Sequence, residues 1–129
     1  MNDAATSYRL GRLHHVQLAI PPRGEEACRA FWGALLGLVE VDKPPVLAAR
    51  GGCWFRGDGL EVHLGVEDPF APARKAHPGV LVIGLPALAS ALEAAGHAVT
   101  WDPEFPGHAR LYTADPFGNR LELLEPLPA

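Results

Sequence analysis

The sequence predicts an α+β fold in which two βαβββ modules form a curved mixed sheet. Three observations predict it. Apolar and turn patterns run strand, helix, strand, strand, strand, and the order then repeats. "GDGLEV" at 57–62 returns as "GNRLEL" at 118–123, an offset of 61 residues. Gly37 and Gly96, which end the two helices, lie 59 apart, and His15 and His77, each opening a module, lie 62 apart. A half of about 55 residues is too small to cover both faces of a sheet alone. The halves must pair, with helices on the outer faces and a cleft between them.

Each element has its own signal. "LHHVQLAI" (13–20) alternates, with Val16, Leu18 and Ile20 on one face and His15 and Gln17 on the other, so it reads as a strand that Pro21-Pro22 ends. "GEEACRAFWGALLG" places Ala27, Phe31, Ala34, Leu35 and Leu38 at helical spacing, with Glu25 and Glu26 at the positive end and Gly37 as C-cap. "LVEV", "VLAAR", "CWF" and "LEVHLGV" read as strands, the last two joined by the turn signal "RGDG". "EDPFAPARKAHPG" carries the prolines and charges of a linker. "VLVIGL" is a strand, "PALASALEAAG" a helix with proline in its first turn, and "HAVTW", "ARLYTAD" and "NRLELLEP" the closing strands. Residues 1–11 are expected to form an arm. Residues 12–126 form one domain, with module one at 12–67, a linker at 68–76 and module two at 77–126.

Composition narrows the function. A net charge of -4 with interspersed acids and bases excludes a basic nucleic-acid groove. No apolar run reaches the roughly 18 residues of a membrane helix. "MNDAATSYRL" lacks the basic and apolar regions of a signal peptide, so the cytoplasm is the expected location. Cys28 and Cys53, without CxxC spacing, are expected to be buried thiols.

The alternation that sends Leu60, Val62 and Leu64 to the core sends Glu61 and His63 to the cleft. Leu121 and Leu123 do the same for Glu122. With His15 and His77, four strands then offer imidazoles and carboxylates to one side. A carboxylate within a sheet must be solvated, paired or ligated. This set suits divalent zinc, iron, manganese, nickel or cobalt. Each residue also has a plainer role: His15 as a hydrogen-bonded cleft histidine, Glu122 as the partner of Arg120 or Arg110, His63 as an outward polar residue, His77 as part of the linker. His14 is expected partly buried, His97 and His108 at the surface, and Trp32 and Trp101 in packing. Trp54, Phe55, Arg110 and Tyr112 are candidates for the pocket wall, with Arg110 or Tyr112 holding an anion and the other stacking on substrate.

"LHHVQLAI", "LEVHLGVEDPF", "KAHPGVLV" and above all "DPFGNRLELLEP" resemble the vicinal oxygen chelate superfamily, which includes glyoxalase I, extradiol dioxygenases, fosfomycin-resistance transferases and bleomycin-resistance proteins. The resemblance spans about residues 12–126. It implies a cleft holding one divalent metal that activates a small substrate through adjacent oxygens. It puts the ligands on His15, His77 and Glu122, with Glu61 or His63 in a fourth slot that need not be filled. Glu122 or Glu61, its pKa raised by an apolar cleft, would shuttle a proton. It also implies a homodimer, with the site within one chain or across two. The chain lacks the extra helices of classical glyoxalase I and the doubled modules of large dioxygenases. A metal-free binding protein that sequesters a drug or metabolite in the same cleft is the alternative, and a vestigial regulatory module is a third.

Overall fold

The structure, a computed structural model, describes residues 7–129; residues 1–6 of the expected arm lie outside it. Module one contains β1 (Val16–Ile20), α1 (Glu25–Cys28), β2 (Val39–Val41), α2 (Pro45–Ala48), β3 (Cys53–Gly57) and β4 (Leu60–Val66). Module two contains β5 (Gly79–Leu81), α3 (Leu85–Ala94), β6 (Thr100–Trp101), β7 (His108–Ala114) and β8 (Arg120–Pro126). Each forms a four-stranded sheet, in the orders β1-β4-β3-β2 and β5-β8-β7-β6. The first strand of each module runs parallel to its last, and the other pairs are antiparallel. A parallel pair needs a crossover, and the helix after the first strand of each module supplies it.

Several elements differ from expectation. Pairing in β1 starts at Val16, so His14 and His15 precede the ladder, and His14 is exposed rather than partly buried. α1 continues directly into a π-helical stretch, Arg29–Leu35, ending before Gly37 at φ +82°. Its buried face carries Cys28, Phe31 and Trp32, while Ala34 is exposed. "VLAAR" is not a strand. Pro44 and Pro45 preset its backbone and start the short helix α2, with Pro45 at the first helical turn. "VLVIGL" pairs only over Gly79–Leu81 before Gly84 turns the chain into α3. Trp101, on the two-residue edge strand β6, is 49% exposed and does not pack in the core. His97 is half-buried with its ring edge against Phe31, and not at the surface.

One core joins the modules. Leu18, Ile20, Phe55, Val62 and Leu64 of the first sheet, Phe31 and Trp32, and Leu85, Leu92, Leu111, Leu121 and Leu123 of the second module form a single cluster. Full burial of such side chains contributes roughly 1.5–3 kcal/mol each. Cys28 and Cys53 are free and buried in it.

The "DPFGN" turn fastens the modules together. The Asp115 carboxylate accepts the Phe117 and Asn119 N–H groups. Asn119, 1% exposed, donates its amide to Asp115 and to the Ala19 carbonyl of β1, and accepts from the linker N–H of Ala73. A buried amide must have partners, and these tie β1, the linker and the β7–β8 turn to one point. Glu125 adds a second tie: its carboxylate accepts the N–H groups of Gly84 and Leu85, capping α3 from outside the helix.

Candidate functional site

Because the core takes one face of each sheet, alternation turns Gln17, Glu61, His63 and Glu122 to the opposite faces. Two polar clusters result. In module one, His63 is buried between two rings. The Trp54 ring stacks on one side at 4.0 Å and 6°, and the His15 ring on the other at 3.9 Å and 15°. Trp54 faces His63 because the β3–β4 register sets them opposite. His63 Nε2 lies 2.7 Å from Glu61 Oε2, and Arg56 holds the other Glu61 oxygen at 2.8 Å. His15 Nδ1 meets His14 Nδ1 at 2.8 Å.

In module two, Glu122 is 8% exposed. His77 Nε2 lies 2.8 Å from its Oε1, and Arg110 donates to its Oε2 at 3.2 Å. Arg110 also pairs with Asp102 at 3.0 Å, while its Nε is buried without an acceptor. Tyr112, directly opposite Glu122 in the β7–β8 register, presents its ring to the edge of His77 at 5.5 Å. Arg120 lies over that ring, 4.0 Å from its centroid.

The protonation states follow from these contacts. Hydrogen bonds from Arg56 and His63 hold the Glu61 carboxyl down at about 2. Burial works to raise the Glu122 carboxyl, but the hydrogen bonds from His77 and Arg110 outweigh it and the net shift is downward. The expected raised carboxylate pKa is thus corrected: both groups are ionised at neutral pH, because each is paired with a cationic donor rather than left in an apolar wall. Desolvation lowers the His15 pKa, helped by His63 and His14. Arg110 is held firmly charged: burial disfavours its charge, but Glu122 and Asp102 overcome this.

His77 is prepared as a ligand. Its Nδ1 donates to the Lys75 carbonyl at 2.8 Å. A carbonyl only accepts, so Nδ1 carries a hydrogen, and Nε2 faces a carboxylate oxygen. Two lone pairs at 2.8 Å require positive charge between or upon them, either a proton or a metal ion. Ligands on one ion at ~2.1 Å stand roughly 3 Å apart when they subtend a right angle. The pair thus has the donor types and the spacing of two ligands on one divalent cation, and the carbonyl behind Nδ1 is the usual support for a ligating imidazole.

A cavity of about 500 Å³ lies where the modules meet, lined by Gln17, Leu60, Glu61, His77, Pro78 and Gly79 among others. That volume suits a small molecule. Gln17 is packed over Gly65, where a Cβ would come within 2.7 Å of its amide nitrogen. The structure thus places Gln17, Glu61 and His77 around one space, His15, His63 and Trp54 in one stack, and Glu122, His77, Arg110 and Tyr112 in another cluster. Among the described residues, no three His, Cys, Asp or Glu side chains are grouped closely enough to hold a metal within this chain. Phe55 is core, 1% exposed. Nothing in the sequence marked Asp102 as the partner of Arg110 or Arg56 as the partner of Glu61, and of the two arginines it offered Glu122 it is Arg110 that pairs, while Arg120 stacks on Tyr112. Arg120 had a signal, since it stands two residues from Glu122 on the same strand face. No helix among the described residues is long and apolar enough to cross a membrane.

Solved structures resemble this chain closely. A protein assigned to the glyoxalase family from Bacillus anthracis is 40% identical, covers 95% of this chain and 100% of its own, and superposes with a TM-score of 0.89. A glyoxalase/dioxygenase from Nostoc punctiforme is 20% identical over 99% of both chains, with a TM-score of 0.75. A genomically encoded fosfomycin resistance protein from Listeria monocytogenes is 15% identical, over 92% of this chain and 96% of its own, with a TM-score of 0.74. The last two share the fold. No family model matches the chain, and no curated protein matches it.

Proposed function

The chain belongs to the glyoxalase family of the vicinal oxygen chelate superfamily, and from that premise we propose a metal-dependent enzyme acting on a small substrate that chelates through adjacent oxygens. The observation that carries this reading is His77, with Nδ1 tied to a carbonyl and Nε2 aimed at Glu122. His77 and Glu122 would hold the ion, of the zinc, iron, manganese, nickel or cobalt kind. When bound, it would polarise the two oxygens and stabilise the anion left as a proton leaves the adjacent carbon. Arg110 keeps Glu122 ionised and oriented. Glu61, ionised and facing the cavity, accepts the proton, with Gln17 and Tyr112 positioning substrate.

A third ligand is His15 of the partner subunit in a twofold homodimer. Three features support this. Within one chain His15 is engaged by His63 and Glu122 by His77. β1 and β5 are both edge strands with no second neighbour, an arrangement that proteins usually cover. An apolar groove of about 550 Å³, lined by Leu13, Leu36, Leu60, Val80 and Leu81, runs beside the β5 edge.

Equilibrium dialysis against Zn²⁺ and Mn²⁺ tests the centre. The expected result is one ion per chain, with affinity lowered at least ~100-fold in His77→Ala and Glu122→Gln while the circular dichroism spectrum is kept. No binding by the unaltered protein, or equal binding by the variants, overturns it. Mixing His15→Ala with Glu122→Ala subunits tests the shared site: regained metal binding supports it, and none overturns it.

A second reading is a metal-free protein that sequesters an aromatic compound. One observation favours it: Arg110 already pairs with Glu122 at 3.2 Å without an ion. Ligand binding unchanged by chelator would select it.

A further inference from the structure

The structure assigns to Arg120 the recognition of a second anionic group on the substrate, two to four bonds beyond the oxygens that chelate at His77 and Glu122. This rests on the centre described above and adds a substrate class to it: small acids carrying a chelating pair at one end and a carboxylate or phosphoryl group at the other.

The sequence pattern favoured Arg110 as the anion holder, but Arg110 is committed. Its guanidinium bridges Glu122 and Asp102, two carboxylates that neutralise it. Arg120 is different. Among the described residues its guanidinium makes no ion pair within 4 Å and no side-chain hydrogen bond; it stacks on the Tyr112 ring at 4.0 Å, with the Asp102 charge nearby. Stacking on an aromatic face leaves the in-plane N–H donors free, the geometry in which arginine binds a planar carboxylate or a phosphoryl group with two parallel bonds. The side chain is half-buried, so part of its desolvation cost is met before any ligand arrives.

Its position relative to the centre is fixed by Tyr112. The Tyr112 ring touches the His77 ring at a centroid separation of 5.5 Å and the Arg120 guanidinium at 4.0 Å. Together these distances put the imidazole and the guanidinium no more than about 9.5 Å apart. Arg120 and Glu122 stand two residues apart on β8, hence on one face, about 7 Å along the strand. A four-carbon diacid chelating at one end can reach across a separation of this size with its other carboxylate; a three-carbon hydroxy acid has no second anionic group to offer.

L-Malate and L-lactate make the comparison, since both offer an α-hydroxy carboxylate and only malate has a distal carboxylate. Binding is read by calorimetry on the full chain, loaded with Mn²⁺ and stripped of metal. The loaded protein is expected to bind malate about tenfold or more tightly than lactate. Arg120→Gln should erase that preference while leaving lactate binding unchanged, and Arg120→Lys should restore part of it. A merely structural role in seating Tyr112 would weaken both ligands alike. An unaltered malate preference in Arg120→Gln, equal loss of both ligands, or no malate binding by the unaltered protein each overturns the assignment. Malate binding that needs Arg120 but not Mn²⁺ keeps the assignment and removes the metal centre. Malate binding that needs Mn²⁺ but not Arg120 does the reverse.

Discussion

His77 Nε2 lies 2.8 Å from Glu122 Oε1, although 45 residues separate them. The pairing comes from the sheet: Gly79 of β5 sits beside Glu122 of β8 in parallel register, and the Glu122 N–H bonds to the Pro78 carbonyl. Glu122→Ala strands two donors, His77 and Arg110, in a half-closed site. The cost is expected to be about 1–3 kcal/mol. A fall in the urea midpoint checks it, and an unchanged midpoint would show that neither hydrogen bond matters to the fold.

The carboxylates set the acid limb. Glu61, at about 2 against an ordinary 4.5, and Glu122, also lowered, bind protons less readily when folded than when unfolded. Their contribution is present above the unfolded value near 4.5 and is lost as pH falls through the folded one. Urea midpoints should therefore decline between about pH 4.5 and 2. Glu61→Gln should make that decline shallower, with Arg56 and His63 losing their common partner; an identical decline in the variant refutes the assignment.

Asn119→Ala removes the amide joining Ala19, Ala73 and Asp115. It leaves the buried Asp115 carboxylate and the half-buried Ala73 N–H short of partners, for an expected loss of about 2–4 kcal/mol. Chemical denaturation measures it. Hydrogen exchange at Ala73 should speed up in the same variant, since its N–H bonds to the Asn119 side chain.

Two glycines at nearly equal φ separate backbone strain from crowding. Gly37→Ala, at +82° with nothing near its missing Cβ, should cost only the ~1 kcal/mol of a left-handed residue. Gly52→Ala, at +83°, drives a Cβ to 2.1 Å from the Leu64 carbonyl oxygen, and should cost at least ~3 kcal/mol. Thermal midpoints of the two variants give the comparison.

The period of the repeat was legible because short motifs such as "GDGLEV" and "GNRLEL" mark the same hairpin twice. Alternation correctly separated Leu121 and Leu123 from Glu122 and Leu60, Val62 and Leu64 from Glu61 and His63. It failed outside paired strands, at His14, where no neighbouring strand enforces a face. "VLAAR" has strand composition, yet Pro44-Pro45 preset a helical start and make it helical. The π-helical stretch was invisible, since a short apolar pattern fits either helix. Partner choice was the larger gap. Nothing in the order of residues says that Arg110 takes Glu122 while Arg120 takes the Tyr112 face, or that Glu125 caps a helix 40 residues earlier. Those are facts of register and reach, set only once β7 and β8 have paired.

The bond from Asn119 to the Ala19 carbonyl acts as a spindle. His15 stands four residues from Ala19, just ahead of β1, and Glu122 three from Asn119 on β8, arms of about 13 and 10 Å in extended chain. A change in the length of the turn would swing both arms at once, so drift in this short hinge would retune what the protein grips long before it unravelled anything.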